Sequence, residues 1–197
     1  MDNKKDKLHW FVAIVTPNTE TNSMKKLNDL VEFWKEKGVL EDSETVTSYV
    51  PIQQEMRIRR STGKRVQVMK VLTSCYLFIQ CRPLIRYKIA CEAKFILHFL
   101  MNNATKDETG KRDFARIPNE QMERFIRMVG GAEGEVTIDP SRLRVGSKVR
   151  IKSGSLAGLE GNIYRAPKGE TMLALRIDYL GYAKMKVPLS QLEFVEE

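Results

Sequence analysis

Three glycines, Gly154, Gly158 and Gly161, stand within the stretch VRIKSGSLAGLEGNIYR, residues 149–165. Glycine-rich turns that follow a strand can cradle phosphates with converging backbone N–H groups, because glycine accepts positive φ. The spacing here excludes that chemistry. A Walker loop needs Gly, four residues, then Gly-Lys-Ser/Thr opening a helix. Instead Gly158 is followed by Leu159-Glu160, and Gly161 runs into the strand-like Asn162-Ile163-Tyr164. No long helical pattern follows, so the dinucleotide fingerprint fails as well. What remains is a tight connection between two short strands.

The other residue types able to do chemistry are scattered. Cys75, Cys81 and Cys91 are odd in number and lack CxxC spacing, and His9 and His98 are the only histidines. A disulfide framework or zinc site is therefore not expected. His9 falls in an opening strand and His98 in an apolar run, with no nucleophile spaced to pair with either. Asp139 and the Glu133/Glu135 pair sit in or beside a glycine-rich segment and read as solvated charge. The expectation is a protein with no catalytic residues, metal or cofactor, and not an enzyme.

Charge placement says more. The chain of 197 residues carries a formal +8. Residues 1–130 hold 23 Lys/Arg against 16 Asp/Glu, and residues 131–197 hold 10 against 9. Between Met56 and Cys91 stand nine basic residues (Arg57, Arg59, Arg60, Lys64, Arg65, Lys70, Arg82, Arg86, Lys88) and no acidic one. Such a block favours a polyanion, through phosphate neutralisation and counterion release. The longest apolar run, near Val71 to Ile79, is too short to span a bilayer, and the charged start, Met1 to Lys7, reads as no export signal. The expectation is a cytoplasmic protein with no membrane contact.

The elements that would position these residues follow from periodicity. His9 to Thr16 reads as a buried strand ended by Pro17-Asn18. A helix from about Thr19 to Gly38 carries Met24, Leu27, Val31 and Trp34 at helical spacing, with Leu30 and Phe33 widening the stripe. Met56 to Lys70 reads as a basic hairpin turning at Thr62-Gly63, with Arg57 and Arg59 on one face. Then come a strand (CYLFIQC), a short helix (Leu84 to Ala93), a strand (FILHFLM), an apolar piece at 114–117 and a helix from Glu120 to Val129. This order predicts an α+β domain with an antiparallel sheet over residues 1–130. Residues 131–142 read as a linker. Five short β-like runs in residues 143–197 predict a small five-stranded barrel.

Two stretches resemble one family. The 149–165 segment resembles a KOW motif, and HWFVAIVTPNTE, a following helix, SYVPIQQEMRIRR and CYLFIQC resemble the NGN domain of the NusG family. The two together cover nearly the whole chain in the family's order. Where general NusG proteins have Phe-Pro-Gly-Tyr, this chain reads Thr73-Ser74-Cys75-Tyr76. That departure, with SYVPIQQEMRIRR, looks closer to specialised paralogues of the RfaH and UpxY kind.

The resemblance implies a monomeric transcription antitermination and elongation factor acting on selected operons, such as capsular polysaccharide loci. A general NusG-type role and a KOW-containing ribosome- or RNA-binding protein are the alternatives. It implies contacts of Trp10, Ile14, Tyr76, Phe78 and Phe99 with the RNA polymerase β′ clamp helices, and of Arg86, Tyr87 and Lys88 with the β-subunit gate loop. Arg57, Arg59, Arg60, Lys64 and Arg65 would lie along upstream or non-template DNA. Family KOW domains bind termination factor Rho or a small-subunit ribosomal protein. In that loop Leu156 and Leu159 are candidate apolar contacts or seals of the barrel end, beside Gly154, Gly158 and Gly161.

Overall fold

The computed structural model describes residues 7–106, 110, 112–141, 143–167 and 169–195. The first six residues of the charged start, and Arg142 at the end of the expected linker, lie outside the described residues.

Along the chain the elements are β1 (His9–Val15), α1 (Glu20–Glu36), β2 (Thr47–Tyr49), β3 (Ile52–Ile58), β4 (Arg65–Val71), β5 (Tyr76–Cys81), α2 (Pro83–Glu92) and β6 (Ile96–Phe99). Next are β7 (Met101–Lys106), β8 (Arg112–Phe114), β9 (Arg116–Ile117), α3 (Asn119–Gly131) and β10 (Val136–Asp139). The last are β11 (Lys148–Ile151), β12 (Glu160–Arg165), β13 (Thr171–Ile177), β14 (Gly181–Lys186) and β15 (Leu192–Phe194). The fold is a mixed α+β arrangement with antiparallel pairing. Two compact units result: Met1–Val50 with Thr73–Asn119, and Pro51–Leu72 with Glu120–Glu197.

In the first unit β1 is central. β5 pairs with it on one side, β6 and β9 pair with it as well, and β2 lies outside β5. The aromatic and β-branched run of β1 is buried at five of its seven positions, as a strand covered on both faces requires. On α1, Leu27, Val31 and Trp34 fall at i, i+4 and i+7 and are buried, whereas Phe33 is half exposed and does not widen the stripe. Gly38, at φ +65°, ends the helix region. Trp34 Nε1 donates to Glu92 Oε2 at 2.8 Å, joining α1 to α2.

In the second unit β3 and β4 form a hairpin and the other strands form a six-stranded sheet, ordered β10-β14-β13-β12-β11-β15. Met122, Phe125 and Met128 of α3 are fully buried, each contributing about 2–3 kcal/mol of apolar burial. Helix α3 meets the sheet region of its own unit through bonds at both ends: Asp178 N–H donates to Gln121 Oε1 at 2.8 Å, and Ser155 Oγ to Gly131 O at 2.7 Å.

This division differs from the expected boundaries. Residues 51–72 and 120–130 group with the C-terminal part, and the stretch read as a linker contains β10, which makes the expected five strands six. The reason is local. Val136 and Ile138 alternate on a strand whose backbone pairs with β14, and Gln53 ties the hairpin to this segment, donating to Gly134 O and accepting from Val136 N–H.

Candidate functional site

Cross-strand partners in an antiparallel ladder lie on the same face of a sheet. Ile14 is opposite Tyr76, Val12 opposite Phe78 and Trp10 opposite Gln80. Trp10, Ile14, Tyr76 and Phe78 therefore share a face. Phe99 does not: it is opposite Ala13, whose face is the other one, and it packs edge-on against Phe11 and Phe114 at 6.4 Å from each. Burial divides the remaining four. Trp10 is 4% exposed and Phe78 0%, so neither forms part of an exposed patch in this structure. Trp10 is covered beside Ile117 of β9, and Phe78 lies 6.3 Å from the Tyr49 ring across β2. Only Ile14 and Tyr76 reach the surface, both half-buried, and exposed His98 of β6 continues their row on the far side of β1.

The turn into this row is held by a buried carboxylate. Glu20, 3% exposed, accepts from Asn18 N–H at 3.2 Å and from Cys75 N–H at 2.7 Å. Burial alone would raise its pKa, but the backbone N–H groups of Cys75, Glu20 and Asn18 and the Ser74 hydroxyl together lower it. Cys75 itself stands at φ +69°. That is the left-handed region, which glycine enters freely and a residue with a Cβ only with strain.

Helix α2 presents the three expected gate-loop residues very differently. Tyr87 is 65% exposed and lies one turn from Leu84, which is 70% exposed. Lys88 is half-buried, 5.0 Å from the Trp34 ring and paired with Glu92 at 3.6 Å. Arg86 is buried, and its position corrects the expectation of an exposed contact: its guanidinium carbon lies 3.5 Å from the Phe114 ring centroid, 5.5 Å from Phe99 and 5.8 Å from Phe11. Burial lowers its pKa from the ordinary arginine value, and the same burial pushes the Cys81 thiol up to about 12. Successive residues of a helix point some 100° apart, so three consecutive residues cannot form one patch on a single face.

The hairpin carries its five expected basic residues at or near an exposed tip, where Gly63 turns at φ +64°. Arg57 shares a face with Glu55 and Lys70 and pairs with Glu55 at 3.1 Å. Lys70 also pairs with Glu135 at 2.7 Å. Among the described residues, Arg59, Arg60, Lys64 and Arg65 have no acidic group within ion-pair distance. The opposite face bears Met56, Ile58 and Met69, each more than 60% exposed. In the sequence Met56 and Ile58 alternate with Arg57 and Arg59, which sets them on the face away from Arg57; that Met69 joins them and that all three are exposed comes from the pairing and burial.

The glycine loop resolves into two uses of glycine. Gly154 and Gly158 sit at φ +86° and +82° in the turn, where Gly158 N–H donates to Ile151 O at 2.7 Å. Gly161 lies in β12, where an added Cβ would stand 2.7 Å from the Leu175 side chain and 2.9 Å from Ala174 O. Leu156 and Leu159 are 4% and 1% exposed, so they seal the loop inward and are not exposed contacts. Leu156 closes on Gly131, where a Cβ would lie 2.6 Å from its Cδ2.

Among the described residues no group of three or more His, Cys, Asp or Glu could hold a metal ion, and no helix is long and apolar enough to cross a membrane.

Residues 8–126 match the NusG family model, described as transcription termination factor nusG. The chain belongs to the NusG family, a family of non-enzymatic transcription factors. No curated protein matches the chain. A solved structure described as "Domain interaction in Thermotoga maritima NusG" is 17% identical with a TM-score of 0.51, the match covering 96% of this chain and 98% of that one. Conformation A of the MjSpt4:Spt5 complex matches at 10% identity and a TM-score of 0.29, over 95% of this chain and 99% of that one. Conformation B matches at 11% and 0.28, over 95% and 97%.

Proposed function

We propose that this chain is an elongation factor that seats the β′ clamp helices of RNA polymerase against Tyr76 and Ile14, with Tyr87 and Leu84 of α2 toward the β-subunit gate loop. Holding both would favour the closed, processive state of the polymerase over the paused one, a population shift with no bond made or broken. Arg59, Arg60, Lys64 and Arg65 would meet upstream DNA. The six-stranded sheet takes the place of the family's KOW barrel and would recruit a small-subunit ribosomal protein in preference to Rho. The observation that carries this reading is the half-exposed Ile14–Tyr76 pair on the central strands of a domain matched to the NusG family.

Thr73-Ser74-Cys75 in place of the general family's Phe-Pro-Gly favours the specialised, operon-selective antiterminator over a general NusG. A monomer acting in the cytoplasm completes the reading. The test is retention of core RNA polymerase on the purified full-length protein. Ile14→Ala and Tyr76→Ala should each lower retention at least about tenfold, while circular dichroism shows the fold intact. Phe78→Ala is not a clean probe, because truncating a fully buried phenylalanine costs about 3–5 kcal/mol of stability. Retention unchanged in both variants would move the contact elsewhere, and none for the wild type would remove the reading.

A further inference from the structure

The β3–β4 hairpin is a ribbon of two chemically different faces. One holds Glu55, Arg57 and Lys70, whose charges are largely spent on one another and on Glu135. The other holds Met56, Ile58 and Met69, 61%, 65% and 64% exposed, with Gln54 bonded across the ribbon to Gln67 and with Arg65 directly opposite Ile58. No strand residue of that second face is acidic. Beyond it the tip presents Arg59, Arg60 and Lys64. Monomeric surfaces rarely leave three large aliphatic side chains together in water unless something covers them.

The covering partner must be a polyanion that also offers an apolar slot. Four cations around Ile58, with no acidic partner among the described residues, would repel a basic peptide and gain little from a neutral one. Single-stranded nucleic acid is read chiefly by stacking on aromatic rings, and residues 52–71 contain none. Duplex DNA fits both features. Unbranched and branched aliphatic side chains act as wedges between base steps in the minor groove, while neighbouring arginines neutralise the phosphates drawn together by the bend. We infer that the hairpin is a duplex-deforming arm: Ile58 and Met56 insert at a flexible base step, and Arg59, Arg60, Lys64 and Arg65 hold the flanking phosphates. The inference rests on the proposed contact with upstream DNA, to which it adds a deformation that phosphate contact alone does not need. It also selects pyrimidine–purine steps, which unstack most readily.

The test uses the full-length protein and a duplex carrying a central TA step, end-labelled with a fluorescence donor and acceptor, with the matching single strand as the second probe. In about 50 mM salt, wild type should bind the duplex and shorten the end-to-end distance. The double variant Met56→Ser, Ile58→Ser should still bind with an unchanged salt slope but leave the duplex straight. Arg59→Gln with Lys64→Gln should instead weaken binding on any sequence and lower the slope by roughly two. Wild-type binding without a bend, a bend that survives the serine variant, or preference for the single strand would each overturn the wedge and leave phosphate contact standing. Absence of binding to either probe would remove both.

Discussion

Cys75 shows how a single backbone angle constrains a residue choice. At φ +69° a side chain with a Cβ is strained by roughly 1–2 kcal/mol, part of which a glycine gives back through its freer unfolded chain. Cys75→Gly is expected to stabilise the protein by about 0.5–1 kcal/mol, read as a higher denaturant midpoint at unchanged m-value. Glu20 holds the same turn. Its folded pKa lies below its unfolded one, so its contribution is present above the ordinary glutamate value near 4.5 and is lost as pH falls through that value toward the folded one. Glu20→Gln should cost about 1–3 kcal/mol at pH 7 and flatten the acid limb of the stability–pH curve, since the amide cannot titrate.

At the scale of elements, close approach and aromatic enclosure decide. β12 can lie against β13 only because Gly161 has no side chain, and the nearest obstacle includes the backbone oxygen of Ala174, which cannot rotate away. Gly161→Ala should destabilise by about 1–3 kcal/mol without altering polymerase retention, a separation that calorimetry and pull-down together would show. Arg86 does for α2 what an apolar residue usually does. Its stem and flat guanidinium fill the space between Phe11, Phe99 and Phe114, tying the helix to the sheet face away from Ile14. Arg86→Ala is expected to lower stability by about 2–4 kcal/mol through the cavity it leaves, and Arg86→Met to recover most of that loss. An effect of Arg86→Met on polymerase retention in a fully folded protein would contradict this packing role.

For the whole molecule, where the charge lies matters more than its sum. Lys148 and Arg150 are engaged by Glu160 and Glu193, so these cations add little to any external field. On the hairpin Arg57 and Lys70 are likewise engaged, by Glu55 and Glu135, whereas Arg59, Arg60 and Lys64 at its tip pair with no acidic group among the described residues. Replacing Arg59, Arg60 and Lys64 by glutamine should reduce the dependence of DNA affinity on salt by roughly two to three in log–log slope. The pair Lys148→Gln and Arg150→Gln, which also lowers the formal charge, should change it by less than about one. Titrating duplex affinity against salt for both variants distinguishes placement from total charge.

The sequence by itself determined the mixed α+β class, the three helices and most of the longer strands, because aromatic and β-branched runs, helical spacing and turn glycines are local signals; it did not separate β2 from β3 or β6 from β7. It also determined the family resemblance and the basic hairpin. Tertiary structure alone decided which side of each strand faces outward. Phe99 and Tyr76 read equally well as patch residues, and register to β1 puts them on opposite faces. It also decided that Trp10, Phe78, Leu156 and Leu159 are interior, and that Arg86 is enclosed while its neighbour Tyr87 is not. The expected linker hid β10 because its four residues gain strand character only by pairing with β14. Burial and pairing are sums over residues distant in the chain, so a local pattern names the element while only the packed fold names the face.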